Sequence, residues 1–176
     1  IDGVNYTSST NTLTGAMQDV TLTLTKASST TTSNVTIAQD TDTISSNIQS
    51  FITAYNKVNS LSRSLTSYDT TTKTGGVLNS DFTATSMQYG IRNALQTAIG
   101  GSGALQTLSD IGVTFAKDGS LSLDSTKLTK VLSDPSKDIS SLFVSGTSTT
   151  GLMARFSNYL DSLNGTSGSI TSRVSS

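Results

Sequence analysis

The sequence predicts an α+β fold, with short antiparallel β-strands at the N-terminal end followed by a mainly α-helical part that contains one small β-hairpin. Three observations predict it. Apolar residues alternate with Thr before residue 40, they recur every three or four residues after it, and Asp118-Gly119 separates two short alternating segments. Because the apolar period changes at about residue 40, we predict two parts, residues 1–40 and residues 41–176.

The N-terminal part is predicted to form strands with one apolar face and one wetted face. Residues 20–24 and 35–37 alternate Val, Leu or Ile with Thr, which is a period of two. The polar residues 27–33 lie between them and predict a β-hairpin. A turn at Asp2-Gly3 would precede a further short strand at residues 4–6.

The longest predicted helix spans residues 42–68 and has one apolar face. Its apolar residues, at spacings of three and four, are Ile44, Ile48, Phe51, Ile52, Tyr55, Val58, Leu65 and Tyr68. Asp40, Thr41 and Asp42 stand where acidic side chains cap the free N–H groups of a helix. Because such a stripe needs a partner, we expect the chain to act by assembly rather than by catalysis.

Further helices are predicted at residues 80–99, 125–133, 135–143 and 151–163, and the hairpin is predicted at residues 112–123. Asn79 or Ser80 is expected to cap the first of these helices, and Asp124 the second. Pro135 suits the first position of the third. Gly90 lies inside the first, where close packing against another helix would explain a residue without a side chain.

Composition excludes several classes of protein. The formal net charge is −1, only 13% of residues are charged, and the sequence contains no local cluster of Lys and Arg, so nucleic-acid binding is not expected. The absence of Cys and His removes disulfides, thiolate ligands and the usual general base near neutral pH. No apolar run approaches the ~20 residues that span a bilayer, so no membrane insertion is expected.

Two segments resemble ligand-binding loops, but a structural role explains each of them better. Gly100-Gly-Ser-Gly103 has the glycines of a phosphate loop without the downstream Gly-Lys-Ser/Thr, so we interpret it as the end of a helix. Asp40 and Asp42 lack the glycine and the terminal Glu of a calcium loop, and helix capping is the better interpretation.

Three carboxylates flank the predicted hairpin and form a conceivable acid/base set. Asp118 and Asp124 are explained by turn and cap roles, and Asp110 alone suggests no proton transfer. We therefore predict no catalytic, cofactor or metal site, assign no binding residues, and expect the protein not to be an enzyme.

Two other groups of residues have ordinary explanations. Asn-X-Thr matches begin at Asn5, Asn34 and Asn164, and such matches arise by chance in a chain of which roughly a third is Ser or Thr. The aromatic residues Phe51, Tyr55, Phe143 and Phe156 lie on apolar stripes. We interpret these aromatic residues as core or helix-seam residues rather than ligand-stacking groups.

The order of the segments is more specific than any one of them. The chain contains, in order, Asn11-Thr-Leu-Thr14, Asp19-Val-Thr-Leu-Thr-Leu24, Phe51-Ile-Thr-Ala-Tyr-Asn56, Gly76-Val-Leu-Asn-Ser-Asp81, Ile91-Arg-Asn-Ala-Leu95, Leu108-Ser-Asp-Ile-Gly-Val-Thr114 and Asp118-Gly-Ser-Leu-Ser-Leu-Asp124. Asp134-Pro135, Leu142-Phe143 and Gly151-Leu152 follow. This series resembles the C-terminal half of the bacterial flagellar filament cap family, hook-associated protein 2 (FliD), over essentially the whole chain.

The resemblance implies a β-rich head joined to a helical leg. Residues 1–40 would then be the last strands of the head or its junction, and residues 41–176 the returning half of the leg. It also implies that the helix at residues 42–68 pairs with a segment outside this sequence.

The function implied by the resemblance is structural. Members form a ring, expected to be pentameric or hexameric, that caps the filament tip outside the cell, promotes flagellin polymerisation and prevents flagellin loss. Partners would be further copies and flagellin, and no cofactor is implied. The alternative is an adhesin that binds mucin or host glycans through Ser/Thr-coated strands, and a hydrolase that uses Asp and Ser without His is remote.

Overall fold

The computed structural model describes residues 1, 3–100, 103, 105–146, 149–166 and 168–174. The chain divides into two compact units, Ile1–Ala38 and Gln39–Ser176. We describe each unit by itself.

The first unit contains one antiparallel hairpin, formed by β1 (Thr12–Met17) and β2 (Val20–Thr23). The register is irregular between Thr14 and Met17, and the tight turn places Asp19 at φ 60°. β2 therefore pairs with the strand before it, whereas the sequence predicted pairing with residues 35–37.

Two strands predicted in this unit are absent from its described residues. Residues 4–6 and 24–38 form no strand, and Val35 and Ile37 are 62% and 64% exposed. Alternation alone does not make a strand, because a strand also needs a neighbour to receive its backbone hydrogen bonds. A turn does precede residue 4, with Gly3 at φ 82°, while Asp2 lies outside the described residues.

The second unit begins with the long helix α1 (Thr41–Thr66). Asp40 caps it as predicted, since its carboxylate accepts the backbone N–H of Thr43 at 3.0 Å. Tyr68 was wrongly placed on the helical stripe. It pairs with Gly75 in a short hairpin formed by β3 (Tyr68–Asp69) and β4 (Thr74–Gly75), because the helix ends at Ser67, whose backbone is extended.

Helix α2 (Phe82–Gln96) is shorter than predicted at both ends. Its cap is Asp81, whose carboxylate accepts the N–H of Ala84 at 2.9 Å, and neither Asn79 nor Ser80 has that role. After the extended Thr97, the buried Ile99 leaves the helix and donates its N–H to the carbonyl of Gln106 at 2.9 Å. This bond joins the two ends of the loop that follows α2.

The predicted hairpin and the helix after it are confirmed. A single 3-10 turn (Leu108–Ile111) leads into β5 (Val113–Phe115), which pairs antiparallel with β6 (Leu121–Leu123). Gly119 takes φ 81° in the connecting turn, as the Asp-Gly sequence predicts. Asp124 caps α3 (Ser125–Leu132) by accepting the N–H of Lys127 at 3.0 Å.

The helix predicted over residues 135–143 is wrong for most of its length. Only α4 (Ser140–Phe143) is helical. Asp134 accepts the N–H of Ser136, and Asp138 accepts the N–H of Ser140, at 3.0 and 2.9 Å. These local turns occupy backbone donors that a continuous helix would need.

The last helices are α5 (Leu152–Asn164), close to its predicted position, and α6 (Ser169–Val174), which the sequence pattern did not predict. One hydrophobic core fills the second unit. Its most deeply buried residues are Leu95, Ile111, Val113, Leu128, Leu142 and Leu152. Tyr55 is 9% exposed, and Phe51, Phe143 and Phe156 pack against this core while half-buried, as predicted. Val58, predicted on the stripe, is 51% exposed.

Candidate assembly surface

The N-terminal half of α1 borders an apolar groove of about 230 Å³. The groove is lined by Ile44, Asn47, Ile48, Phe51, Leu108, Val113, Phe143 and Met153. The sequence pattern identified the apolar α1 residues and Phe143, but it assigned Asn47 to the polar face. It did not identify Leu108 or Met153, because no local period links a helix to residues that lie more than 40 positions beyond its end. Ile48, Leu108 and Val113 are buried at its base, and the other apolar lining residues are half-buried. The groove is therefore an apolar depression in the surface of the core.

Aromatic rings fix the position of α1 beside this groove. The rings of Phe51 and Phe156 meet edge to face at 5.9 Å, and so do those of Tyr55 and Phe115. Such geometry stabilises each pair of rings by about 0.5–1.5 kcal/mol beyond the burial of their surface. The four rings tie α1 to α5 and to β5.

One face of α1 holds the backbone of the β5–β6 turn. Tyr55 Oη donates to the carbonyl of Gly119 at 3.0 Å. Asn59 Nδ2 and Arg63 Nη1 both donate to the carbonyl of Asp118, at 3.3 and 2.7 Å. Burial raises the pKa of Tyr55, and the nearby charge of Arg92 offsets part of that rise. The turn is therefore held by side chains from three successive turns of α1, each four residues from the next.

Asn56 binds the edge of β6 that does not pair with β5. Its side-chain Nδ2 donates to the carbonyl of Leu121 at 2.8 Å, and its Oδ1 accepts the N–H of the same residue at 2.7 Å. A backbone peptide of a third strand would make these two bonds. The carboxamide therefore prevents another strand from pairing at this position, which is how edge strands are protected from aggregation.

Close packing of α2 against α5 explains Gly90. A methyl group at Gly90 would overlap the ring and hydroxyl of Tyr159. Tyr159 Oη donates to the carbonyl of Met87 at 3.4 Å, and burial raises the pKa of this hydroxyl. Arg155 extends the contact by donating to the carbonyl of Ala98 at 2.8 Å. The expectation that Gly90 marks a helix–helix contact is confirmed.

The carboxylates considered for chemistry make local structural bonds. Asp118 and Asp124 have turn and cap roles, and hydrogen bonds from Ser120 hold the pKa of Asp118 below its usual value. Burial raises the pKa of Asp110, but hydrogen bonds from the N–H groups of Gln106 and Thr107 outweigh it and lower the pKa overall. The described contacts do not join the three into one site.

The described residues of the other candidate segments make local structural contacts. The hydroxyl and N–H of Thr43 bind the carboxylate of Asp40 and lower its pKa, which is a cap interaction. Gly100, which was predicted to end the helix, takes φ 75° four residues beyond the last residue of α2, because the helix already ends at Gln96. Residues 101 and 102 of the glycine loop lie outside the described residues. Asn5, Asn34 and Asn164 are exposed.

Among the described residues, no group of three or more Asp side chains is placed to hold a metal ion. Among the helices described, none has both the length and the apolar character needed to cross a membrane.

Comparison with known proteins gives a consistent result. Residues 1–176 match the family model described as the flagellar hook-associated protein 2 C-terminus. The A-type flagellar hook-associated protein 2 of Pseudomonas aeruginosa is 34% identical over 99% of this chain and 37% of its own length. Flagellar hook-associated protein 2 of Salmonella typhimurium is 31% identical over 92% of this chain and 36% of its own length.

A solved structure shows the same fold. The crystal structure of the D1-D2-D3 domains of the flagellar cap protein FliD from Escherichia coli matches with a TM-score of 0.78 and 31% identity, over 94% of this chain and 44% of that one. The chain thus spans less than half the length of these relatives. On the family match, the identities and the shared fold, the chain belongs to the flagellar hook-associated protein 2 (FliD) family.

Proposed function

We propose that the full-length protein caps the tip of the bacterial flagellar filament outside the cell as a ring of identical subunits, promotes flagellin polymerisation and prevents flagellin loss. Residues 41–176 would form the returning half of its helical leg, and residues 1–40 the end of the head or its junction. The observation that carries the proposal is the likeness to the flagellar cap protein of Escherichia coli over 94% of this chain.

The apolar groove beside α1 supports a role in assembly. Burying apolar surface stabilises by roughly 25 cal/mol per Å². A groove lined by Ile48, Phe51 and Met153 therefore favours a covering partner. We expect the rest of the polypeptide and neighbouring copies to supply it. No step in this function makes or breaks a covalent bond, so the protein would not be an enzyme.

Cysteine content is compatible with export of the protein as an unfolded chain. With no Cys in these 176 residues, no disulfide can form here to block threading through a narrow channel.

The test uses the full-length protein. Light scattering should give the mass of a pentamer or hexamer, and the protein should restore filament growth in a strain that lacks its cap. A monomer at high concentration that also fails to restore growth would refute the proposal. A protein that forms a ring but fails to restore growth would refute only the assignment to the filament tip, and the ring itself would stand.

A further inference from the structure

Helix α2 has two faces of different character. Ala84, Ile91 and Leu95 are buried on the inner face. Phe82 and Tyr89 lie seven positions apart and so share the outer face, where they are 84% and 70% exposed. Exposed aromatic rings on one helix face are a composition typical of protein interfaces.

Three cations line one pocket together with Tyr89, and Asp118 is the one carboxylate that shares this pocket. Arg63, Arg92 and Lys117 line one pocket of about 190 Å³, together with Tyr89 and the turn residue Gly119. Within the described part of the chain, none of the three forms an ion pair. In a chain with only 11 Lys and Arg, three of them converge here.

Neutral contacts hold the two arginines in place. Arg63 donates to the carbonyl of Asp118, and the guanidinium of Arg92 lies 5.3 Å above the centre of the Phe115 ring. The one carboxylate beside them belongs to Asp118, and its Oδ1 accepts both the hydroxyl and the N–H of Ser120. Because the guanidinium groups are already fixed, a partner carboxylate would bind them at a reduced cost in side-chain entropy.

We infer that the outer face of α2, with Phe82, Tyr89, Arg63, Arg92 and Lys117, is a docking surface for a different protein that presents carboxylates around an apolar centre. We call it the α2 docking face. Aromatic and Arg side chains dominate the binding energy of interfaces. The pocket has three cations and the single carboxylate of Asp118, so acidic groups on the partner would complement the excess positive charge and steer the encounter.

A second copy of this region is the poorer fit. Its carboxylates are all Asp, and several make single local bonds, in helix caps at Asp40 and Asp124 and in turns at Asp69 and Asp134. No two Asp residues are adjacent in the sequence, so a second copy offers no acidic run to face three cations. A nucleic acid is disfavoured by the net charge of −1.

The inference rests on the proposed function, which supplies the probe, monomeric flagellin from the same organism. The test variant of the full-length protein is Tyr89→Ala with Lys117→Glu, since both side chains are exposed and neither has a described packing role. Arg92→Gln is the second variant. Lys130→Glu on α3 is the matched control, because Lys130 is also exposed and lies outside the face.

We expect the double variant to bind flagellin at least about tenfold more weakly, with Arg92→Gln weakened as well and the control unchanged. Binding by the wild type should fall as salt is raised, and the variants should lose part of that dependence. Ring mass and the circular dichroism spectrum should stay the same.

Two results would overturn the docking face. Folded variants that bind flagellin as the wild type does would refute it, and so would loss of the ring with flagellin binding retained, which would assign the face to a second copy. Wild-type protein that binds no flagellin at all would instead refute the proposed function, and the docking face with it.

Discussion

Residues 1–38 and residues 39–176 differ sharply in what they bury. Among the described residues of the first unit none is buried, and Leu24, Val35 and Ile37 are each more than half exposed. The second unit contains the entire described core, with Leu95 and Leu142 fully enclosed. A two-stranded hairpin has no second layer to cover its apolar face, whereas the six helices and two hairpins described in the second unit can enclose one. Both units contain segments with one apolar face, and the number of packing layers decides whether that face is buried.

The sharpest test of this contrast compares two leucines. Leu95→Ala should lower the free energy of unfolding by about 2–5 kcal/mol because it leaves a cavity in the core. Leu24→Ala should change it by less than about 0.5 kcal/mol, because the side chain is 52% exposed. Urea unfolding of residues 1–176, followed by far-UV circular dichroism, measures both. Equal effects would mean that the first unit has a core of its own.

The α2–α5 contact allows a second test within the helical unit. Gly90→Ala should destabilise by about 1–3 kcal/mol, because the added methyl overlaps Tyr159 and forces the helices apart. This outweighs the gain of about 1 kcal/mol in helix propensity. Adding Tyr159→Ala should recover part of the loss, so the double variant should be more stable than the sum of the single effects. A stabilising Gly90→Ala would show that the helices are not in close contact.

Asn56 allows a test of the closed strand edge. Asn56→Ala removes both bonds to Leu121 and should cost about 1–2 kcal/mol. The amide of Leu121 should then exchange its hydrogen faster, as measured by NMR. Asn47→Ala on the same helix is the control, since Asn47 is exposed and borders the groove rather than the hairpin. Unchanged exchange at Leu121 would mean that the carboxamide does not protect this edge.

The smallest expected effect concerns pH. The folded pKa of Asp110 lies below its usual value, so its carboxylate stabilises the fold above about pH 3.9, the unfolded value. That contribution is lost as pH falls further, through the folded pKa. Asp110→Asn should therefore lower Tm at neutral pH and differ less from the wild type near pH 3. Solvent screening keeps the effect below about 1 kcal/mol. A difference that grows on acidification would contradict this.

The local chemistry of the sequence was sufficient for several elements. The caps Asp40 and Asp124 and the turn at Gly119 were predictable because each depends on a side chain or a φ value within a few residues. The periods of two and 3.6 predicted the α+β class for the same reason. The error over residues 135–143 arose because Asp134 and Asp138 compete locally for backbone donors, which a stripe of apolar residues does not reveal.

What the sequence determined by itself is the set of amphipathic segments, their caps and the absence of the side chains that most catalytic and metal sites need. The tertiary structure decided which segments pack against one another and which of their faces stay exposed. Only in space do Arg63, Arg92 and Lys117 meet around one pocket, and Leu108 and Met153 meet Phe51 around one groove. The physical reason is that periodicity fixes the side of a helix on which a residue lies, while its partner depends on packing between segments far apart in the chain.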